Sequence, residues 1–154
     1  MEASLKVQSP AFGNGDTIPV RYTADGENVS PPLSWSAGPY RTVAYALVVD
    51  DPDAPAGNWV HWVAWNIPGV QIEEGISPSP RLPSGAVQGR NSWKRTGYGG
   101  PQPPSGTHRY FFRVHALDAQ LDLSPDAGKE ELERVMRGHV LASGEMMGKY
   151  TRKK

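Results

Sequence analysis

Apolar residues in this chain come in short runs broken by glycine and proline, and the strongest runs carry polar residues at strand-like positions. Residues 41–50 (RTVAYALVVD), 59–66 (WVHWVAWN) and 108–117 (HRYFFRVHAL) are predicted as strands, because β-branched and aromatic residues cluster there between turn signals. Weaker strands are expected at residues 17–22, around 5–8 and at 86–91. A helix is predicted from Gly128 or Lys129, since Leu132, Val135, Met136 and His139 recur at helical spacing and mark a buried stripe. Glu130 and Glu131 suit its first turn, Arg134 and Arg137 its last, and Gly138 ends it. Residues 139–150 then read as a late strand or an irregular return. No internal repeat and no interdomain linker interrupts the pattern. The expected architecture is one mostly β domain over residues 1–154, a sandwich with a late helix packed on it.

Side chains two apart on a strand point to one face. Tyr45, Leu47, Val49 and Asp51 therefore share a face, as do Trp59, His61, Val63 and Trp65, and His108, Tyr110, Phe112 and Val114. If these strand ends converge, a carboxylate, two imidazoles and a phenol line an aromatic-walled concavity. Arg109, Arg113 and His115 have the opposite parity and are expected at a surface. In DPDAP (residues 51–55) the prolines restrict the backbone, Asp53 is expected to cap its own turn, and Asp51 faces the cavity. The loop GYGGPQPPSG (residues 97–106) has the composition to present backbone N–H groups to an anion. Pro52, Trp93, Gly99, Gly100 and Pro101 are the expected border of the pocket.

Charge and composition narrow the classes. Sixteen basic and sixteen acidic residues cancel, which gives no support for broad capture of nucleic acid. The chain has no cysteine, so disulfides, thiolate catalysis and cysteine-ligated metals are excluded. No segment has the apolar length of a signal peptide or a transmembrane helix, and the cytoplasm is the expected location. Exposed sheet edges are compatible with a homodimer.

Several chemistries suit the polar cluster. Imidazoles, a tyrosine hydroxyl and backbone amides can donate hydrogen bonds to an anionic oxygen, with Asp51 orienting an imidazole. His61, His108 and Asp51 could instead form a two-histidine, one-carboxylate metal site, although no compact metal motif supports it and no metal or other cofactor is expected. A hydrogen-bonded buried network without a ligand is the third reading. Catalysis has weaker support: Ser92 and Ser105 lie in no G-x-S-x-G elbow, and the glycines lack nucleotide-loop spacing.

Taken in order, DPDAP at 51–55, Trp-x-His at 59–61 with Asn66 following, GRNSW at 89–93, GPQPPSGTHRYFFRVHALD at 100–118 and GHVLASGEMMGKY at 138–150 resemble the phosphatidylethanolamine-binding protein family, also called Raf kinase inhibitor-like, in its compact microbial branch. The resemblance spans essentially the whole chain. It implies a Greek-key β-sandwich and a pocket for an anion or phosphate headgroup near one sheet edge, with Asp51, His61, His108 and Tyr110 at the matching positions. The function so implied is noncatalytic binding of a small anionic or phosphorylated ligand, with a regulatory role open. The alternative is a regulator that inhibits a kinase or other enzyme through a protein partner, with hydrolysis a third reading. The short C-terminal end differs from longer eukaryotic members, so the resemblance does not extend to a lid helix or to inhibition of an animal-type kinase cascade.

Overall fold

The computed structural model describes residues 3–152; residues 1–2 and 153–154, which belong to the expected domain, lie outside the described residues. In chain order the elements are β1 (Ala3–Ser4), β2 (Val7–Gln8), a 3-10 turn (Val20–Tyr22), β3 (Leu33–Trp35), β4 (Ala44–Asp51), β5 (Trp59–Ile67), β6 (Gln71–Ile72), β7 (Val87–Gln88), β8 (Thr107–Leu117), α1 (Lys129–Met136) and β9 (Val140–Thr151). A six-stranded sheet has the order β1-β9-β8-β4-β5-β7, and a three-stranded sheet the order β2-β3-β6. Pairing is antiparallel throughout except between β1 and β9. Strands β4, β5 and β7 are neighbours, and β8 returns by a long connection to lie beside β4, which is the Greek-key order.

β4 is buried along its whole length because both of its faces are covered. Its Tyr45, Leu47 and Val49 join Phe112 and Val114 of β8 in a core closed by Leu33 and Trp35 of the small sheet. Its Ala46 and Val48 face the other way, into a second core that Leu132 and Met136 of α1 complete. A strand buried on two faces reads as a continuous apolar run rather than an alternating one, which is what AYALVV shows. Helix α1 starts with the Gly128 N–H donating to the Glu131 carboxylate at 3.1 Å, and Leu132 is wholly inaccessible. Among the described residues no helix is long and apolar enough to cross a membrane.

β5 breaks simple alternation, and this corrects the expected shared face of Trp59, His61, Val63 and Trp65. Opposite β4, Asp50 pairs with Val60 and the next residue, Val49, pairs with Trp62. The ladder skips His61, so a β-bulge is centred there. Beyond it the faces exchange: Trp62 and Ala64 enter the inter-sheet core, whereas Val63 and Trp65 lie beneath α1. A further irregularity between Ala64 and Ile67 returns Ile67 to the inter-sheet core. Asn66 at that step adopts φ 56°, and its side chain bonds both the N–H and the carbonyl of Leu121.

The weaker predictions change more. Residues 17–22 are not a strand: after Pro19 the chain makes the Val20–Tyr22 turn, and Thr17 makes only an isolated bridge to Lys149. The 5–8 segment is divided, with β1 joining the large sheet before it and β2 joining the small sheet at its end. Residues 86–91 contain only the two-residue β7, followed by an isolated bridge between Arg90 and Thr96. His139 lies outside α1 and is bonded through Nδ1 to Asp118 at 2.8 Å. Residues 139–150 resolve to β9, which pairs with β8 along its length.

Candidate functional site

Each polar residue at the site is placed by a local feature. Asp51 ends β4, where its Oδ1 accepts the N–H of Asp53 at 2.8 Å and its Oδ2 meets His108 Nδ1 at 2.6 Å. Asp51 therefore caps the DPDAP turn itself, a role expected of Asp53. Asp53 instead accepts three bonds from Arg109: from its N–H and Nε at 2.9 Å each, and from Nη2 at 2.8 Å. The guanidinium is the main cause holding the Asp53 carboxyl down at about 2. A depressed carboxylate contributes stability above its unfolded pKa and loses it as pH falls through the folded value. With the pair partly exposed and screened by solvent, Arg109→Ala is expected to be only mildly destabilising at pH 7. Chemical denaturation of both proteins from pH 7 to 2 should show that difference shrinking toward zero; a constant difference would mean that the guanidinium acts through packing alone.

His61 occupies the bulge of β5 and is 3% exposed. Its Nδ1 lies 2.7 Å from the carbonyl oxygen of Gly99. A carbonyl only accepts, so Nδ1 carries the proton, and a neutral ring leaves Nε2 with a bare lone pair. Desolvation pushes the His61 pKa below its ordinary value, against the opposing pull of the Gly99 carbonyl, the Asp51 and Asp50 carboxylates and the Gly100 backbone. The ring stands edge-on to Tyr110 and to Trp93, each with centroids 5.1 Å apart. Tyr110 is 1% exposed, and burial, with Asp51 nearby, raises its pKa and keeps the phenol protonated.

Trp93 is presented by an asparagine turn: the Asn91 side chain accepts the N–H of Trp93 at 2.9 Å and donates to the Gly97 carbonyl at 3.0 Å. Its indole lies so close to Gly99 that a Cβ there would sit 2.5 Å from the ring. Trp59, at the start of β5, packs edge-on against Trp93 at 5.4 Å.

These side chains enclose a cavity of about 330 Å³. Asp51, His61 and Tyr110 form its polar floor, Trp59, Trp93 and the 54–56 turn its walls, and the exposed Gln102 also reaches it. Of the expected residues, Asp51, His61, Tyr110 and Trp93 line the cavity. His108 is not among the lining residues; its Nδ1 is bonded to Asp51 Oδ2 at 2.6 Å. Pro52, Gly99, Gly100 and Pro101 are likewise off the wall. Two of the loop amides are already engaged, Gly99 N–H by the His61 carbonyl at 2.9 Å and Gly100 N–H by the Asn28 side chain at 2.8 Å. At these two glycines the loop therefore offers the site a carbonyl that fixes His61 rather than free amides. Trp59, the 54–56 turn and Gln102 were not among the expected pocket residues, although Trp59 shares the parity of His61 and the others fall in or beside the DPDAP and 97–106 motifs. Among the described residues no set of His, Asp and Glu side chains converges as metal ligands. On the outer face of β8, Arg109 and Arg113 stack on Phe111 at 5.5 and 4.7 Å, and His115 bonds Ser143.

The phosphatidylethanolamine-binding protein family model matches residues 8–151. A UPF0098 protein from Methanothermobacter thermautotrophicus is 50% identical over 96% of this chain and 99% of its own length. Another from Aquifex aeolicus is 44% identical over 97% of this chain and 90% of its own. In structure, the chain resembles a putative phosphatidylethanolamine-binding protein homologue from Chlamydia trachomatis with a TM-score of 0.90, 36% identity, and coverage of 99% of this chain and 100% of that one. It also resembles Escherichia coli YbcL, described as a new member of the mammalian family, with a TM-score of 0.88, 31% identity, and coverage of 98% and 100%.

Proposed function

The chain belongs to the phosphatidylethanolamine-binding protein family, whose members are generally noncatalytic ligand-binding proteins, and on that premise we propose that it binds a small anionic, phosphorylated ligand without transforming it. The observation that carries this reading is the buried trio Asp51, His61 and Tyr110 at the floor of an otherwise aromatic and apolar cavity. Small-ligand sites have this composition, an apolar bulk with a few placed polar groups that fix orientation. A phosphate group fits the polar floor, where Tyr110 O–H donates to one of its oxygens. Trp59, Trp93 and Pro55 offer contact area to the organic part of the ligand. The two tryptophans and the proline turn are rigid, so little side-chain freedom is lost on binding.

The test is a titration with methyl phosphate followed by NMR, comparing the native protein with His61→Ala and His108→Ala. Shifts in the native protein should localise to Asp51, His61, Trp93 and Tyr110. His61→Ala removes a floor group and is expected to weaken binding about tenfold, through loss of one hydrogen-bonding position and of the ring that holds Tyr110 and Trp93 in place. His108→Ala should also weaken it, because it removes the partner that fixes Asp51 Oδ2. Undiminished binding in a folded His61→Ala protein, or shifts centred elsewhere, would remove the cavity from consideration.

A further inference from the structure

We propose that this site takes its ligand in a protonated form, a phosphate monoester monoanion whose remaining P–O–H supplies the donor that the cavity floor lacks. The proposal rests on the anion-recognition reading above and sharpens it to a ligand class.

The donor and acceptor inventory of the floor leads there. Asp51 shares its Oδ2 with His108 Nδ1 at 2.6 Å and receives the Asp53 N–H at Oδ1. Whichever of Asp51 and His108 holds the proton between them, that proton is spent on their mutual bond. Asp51 therefore shows the cavity only lone pairs. His61 has its Nδ1 proton committed to the Gly99 carbonyl at 2.7 Å, and its Nε2 has no hydrogen-bond partner among the described residues. Tyr110 O–H is then the donor of the buried floor beside these two acceptors, and the indole N–H groups of Trp59 and Trp93 are the donors the walls can add.

Charge points the same way. No lysine or arginine lines the cavity. The Arg109 guanidinium is held on Asp53, Arg113 lies between Asp50 and Glu145, and Arg152 is paired with Asp25. The ionisable groups that act on His61 and Tyr110 from the surrounding elements are Asp50, Asp51 and Asp53 from β4 and its turn, and Tyr150 and Arg152 from the end of β9. His108 is bonded to Asp51, and Tyr98 belongs to the loop beside His61. Carboxylates outnumber cations in that set. Burial also disfavours a proton on His61 Nε2. A dianion with no proton could take hydrogen bonds from Tyr110 and the wall indoles but would still set its oxygens against the lone pairs of Asp51 and His61. A monoanion that keeps one O–H satisfies one of those acceptors while its other oxygens receive Tyr110 O–H and the amide of Gln102.

Sites that hydrogen-bond a ligand proton reject analogues lacking it, because a buried acceptor is then left unpaired. Sulfate is such an analogue, tetrahedral and fully ionised at neutral pH. The experiment is calorimetric titration of the native protein with methyl phosphate and, separately, sulfate between pH 6 and pH 8. Methyl phosphate should bind at pH 6 at least about tenfold more tightly than sulfate. Its apparent affinity should fall about fiftyfold by pH 8, following loss of the monoanion of an ester whose second pKa is about 6. Sulfate keeps one charge state across this range, so its own pH response reports on the protein alone. Sulfate binding as tight as methyl phosphate, or growing in parallel at low pH with proton uptake, would assign the proton to His61 and overturn the proposal while leaving anion recognition standing. Failure of both anions to bind at any pH would overturn the anion reading itself.

Discussion

Replacing Trp62 with alanine is expected to lower the unfolding free energy by about 3–5 kcal/mol, the range for removing a large aromatic side chain from a close-packed interior. Trp62 is 1% exposed in the inter-sheet core, and its ring stands edge-on to Tyr98 with centroids 5.4 Å apart. Its Nε1–H donates to Gln88 Oε1 at 2.8 Å. Gln88 is itself 1% exposed, and its amide donates onward to the carbonyls of Ser77 and Ser79 at 2.7 and 2.8 Å. The indole therefore both fills volume and anchors β7 and the 77–79 segment to β5. Trp62→Phe separates these contributions. It keeps most of the ring volume but leaves Gln88 Oε1 without its donor, a loss of about 1–3 kcal/mol. Denaturant unfolding of both variants checks the order. A loss below about 1 kcal/mol for Trp62→Ala would contradict its place in the core.

Legibility of the fold in the sequence followed the regularity of each element's apolar pattern, and the twelve-residue β9, with little such pattern, read equally as a strand or an irregular return. β4, β5, β8 and α1 are long enough for periodicity and turn signals to mark them. β3 and β6, at three and two residues, are too short to show any period, and they are recognisable only once the large sheet gives them a surface to cover. Period-two reasoning was sound up to His61, since Trp59 and His61 do share the cavity. It failed one residue later, because a bulge leaves no mark in the pattern of apolar residues when both faces of the strand are buried. The sequence WVHWVAW is apolar on either reading, so nothing in it selects which tryptophan enters which core.

The site divides along the same line. Asp51 and Tyr110 were placed by parity and line the cavity as parity requires. His108 has the same parity but is bonded to Asp51 and is not among the lining residues, and side-chain pairing of that kind is invisible without distances. The glycines of the 97–106 loop permit close backbone approach, and a composition-based reading took that approach to be toward a ligand. In the structure Gly99 approaches Trp93 and His61 instead. Its carbonyl fixes the histidine tautomer, so the Gly99 end of the loop acts on the cavity through the His61 ring.

Asp51→Ala is expected to have the largest combined effect on fold and ligand. Asp51 is 3% exposed and serves three purposes at once: it accepts the Asp53 N–H, partners His108 Nδ1 and lines the cavity floor. Alanine leaves His108 Nδ1 and the Asp53 amide without their partners, at about 1–3 kcal/mol for each buried group, so a total near 3 kcal/mol is expected in denaturant unfolding. Loosening of the 52–56 turn also removes one wall of the cavity, and methyl phosphate binding should be lost even where the variant remains folded. Asp51→Asn distinguishes the hydrogen bonds from the charge. Its Oδ1 can still cap Asp53, and its Nδ2 can donate to His108 once the ring carries its proton on Nε2. Most of the stability should therefore return, accompanied by Nε2–H nitrogen shifts for His108 in NMR. Equal instability of the alanine and asparagine variants would show that the carboxylate charge, rather than the pair of hydrogen bonds, holds this end of β4 against β8.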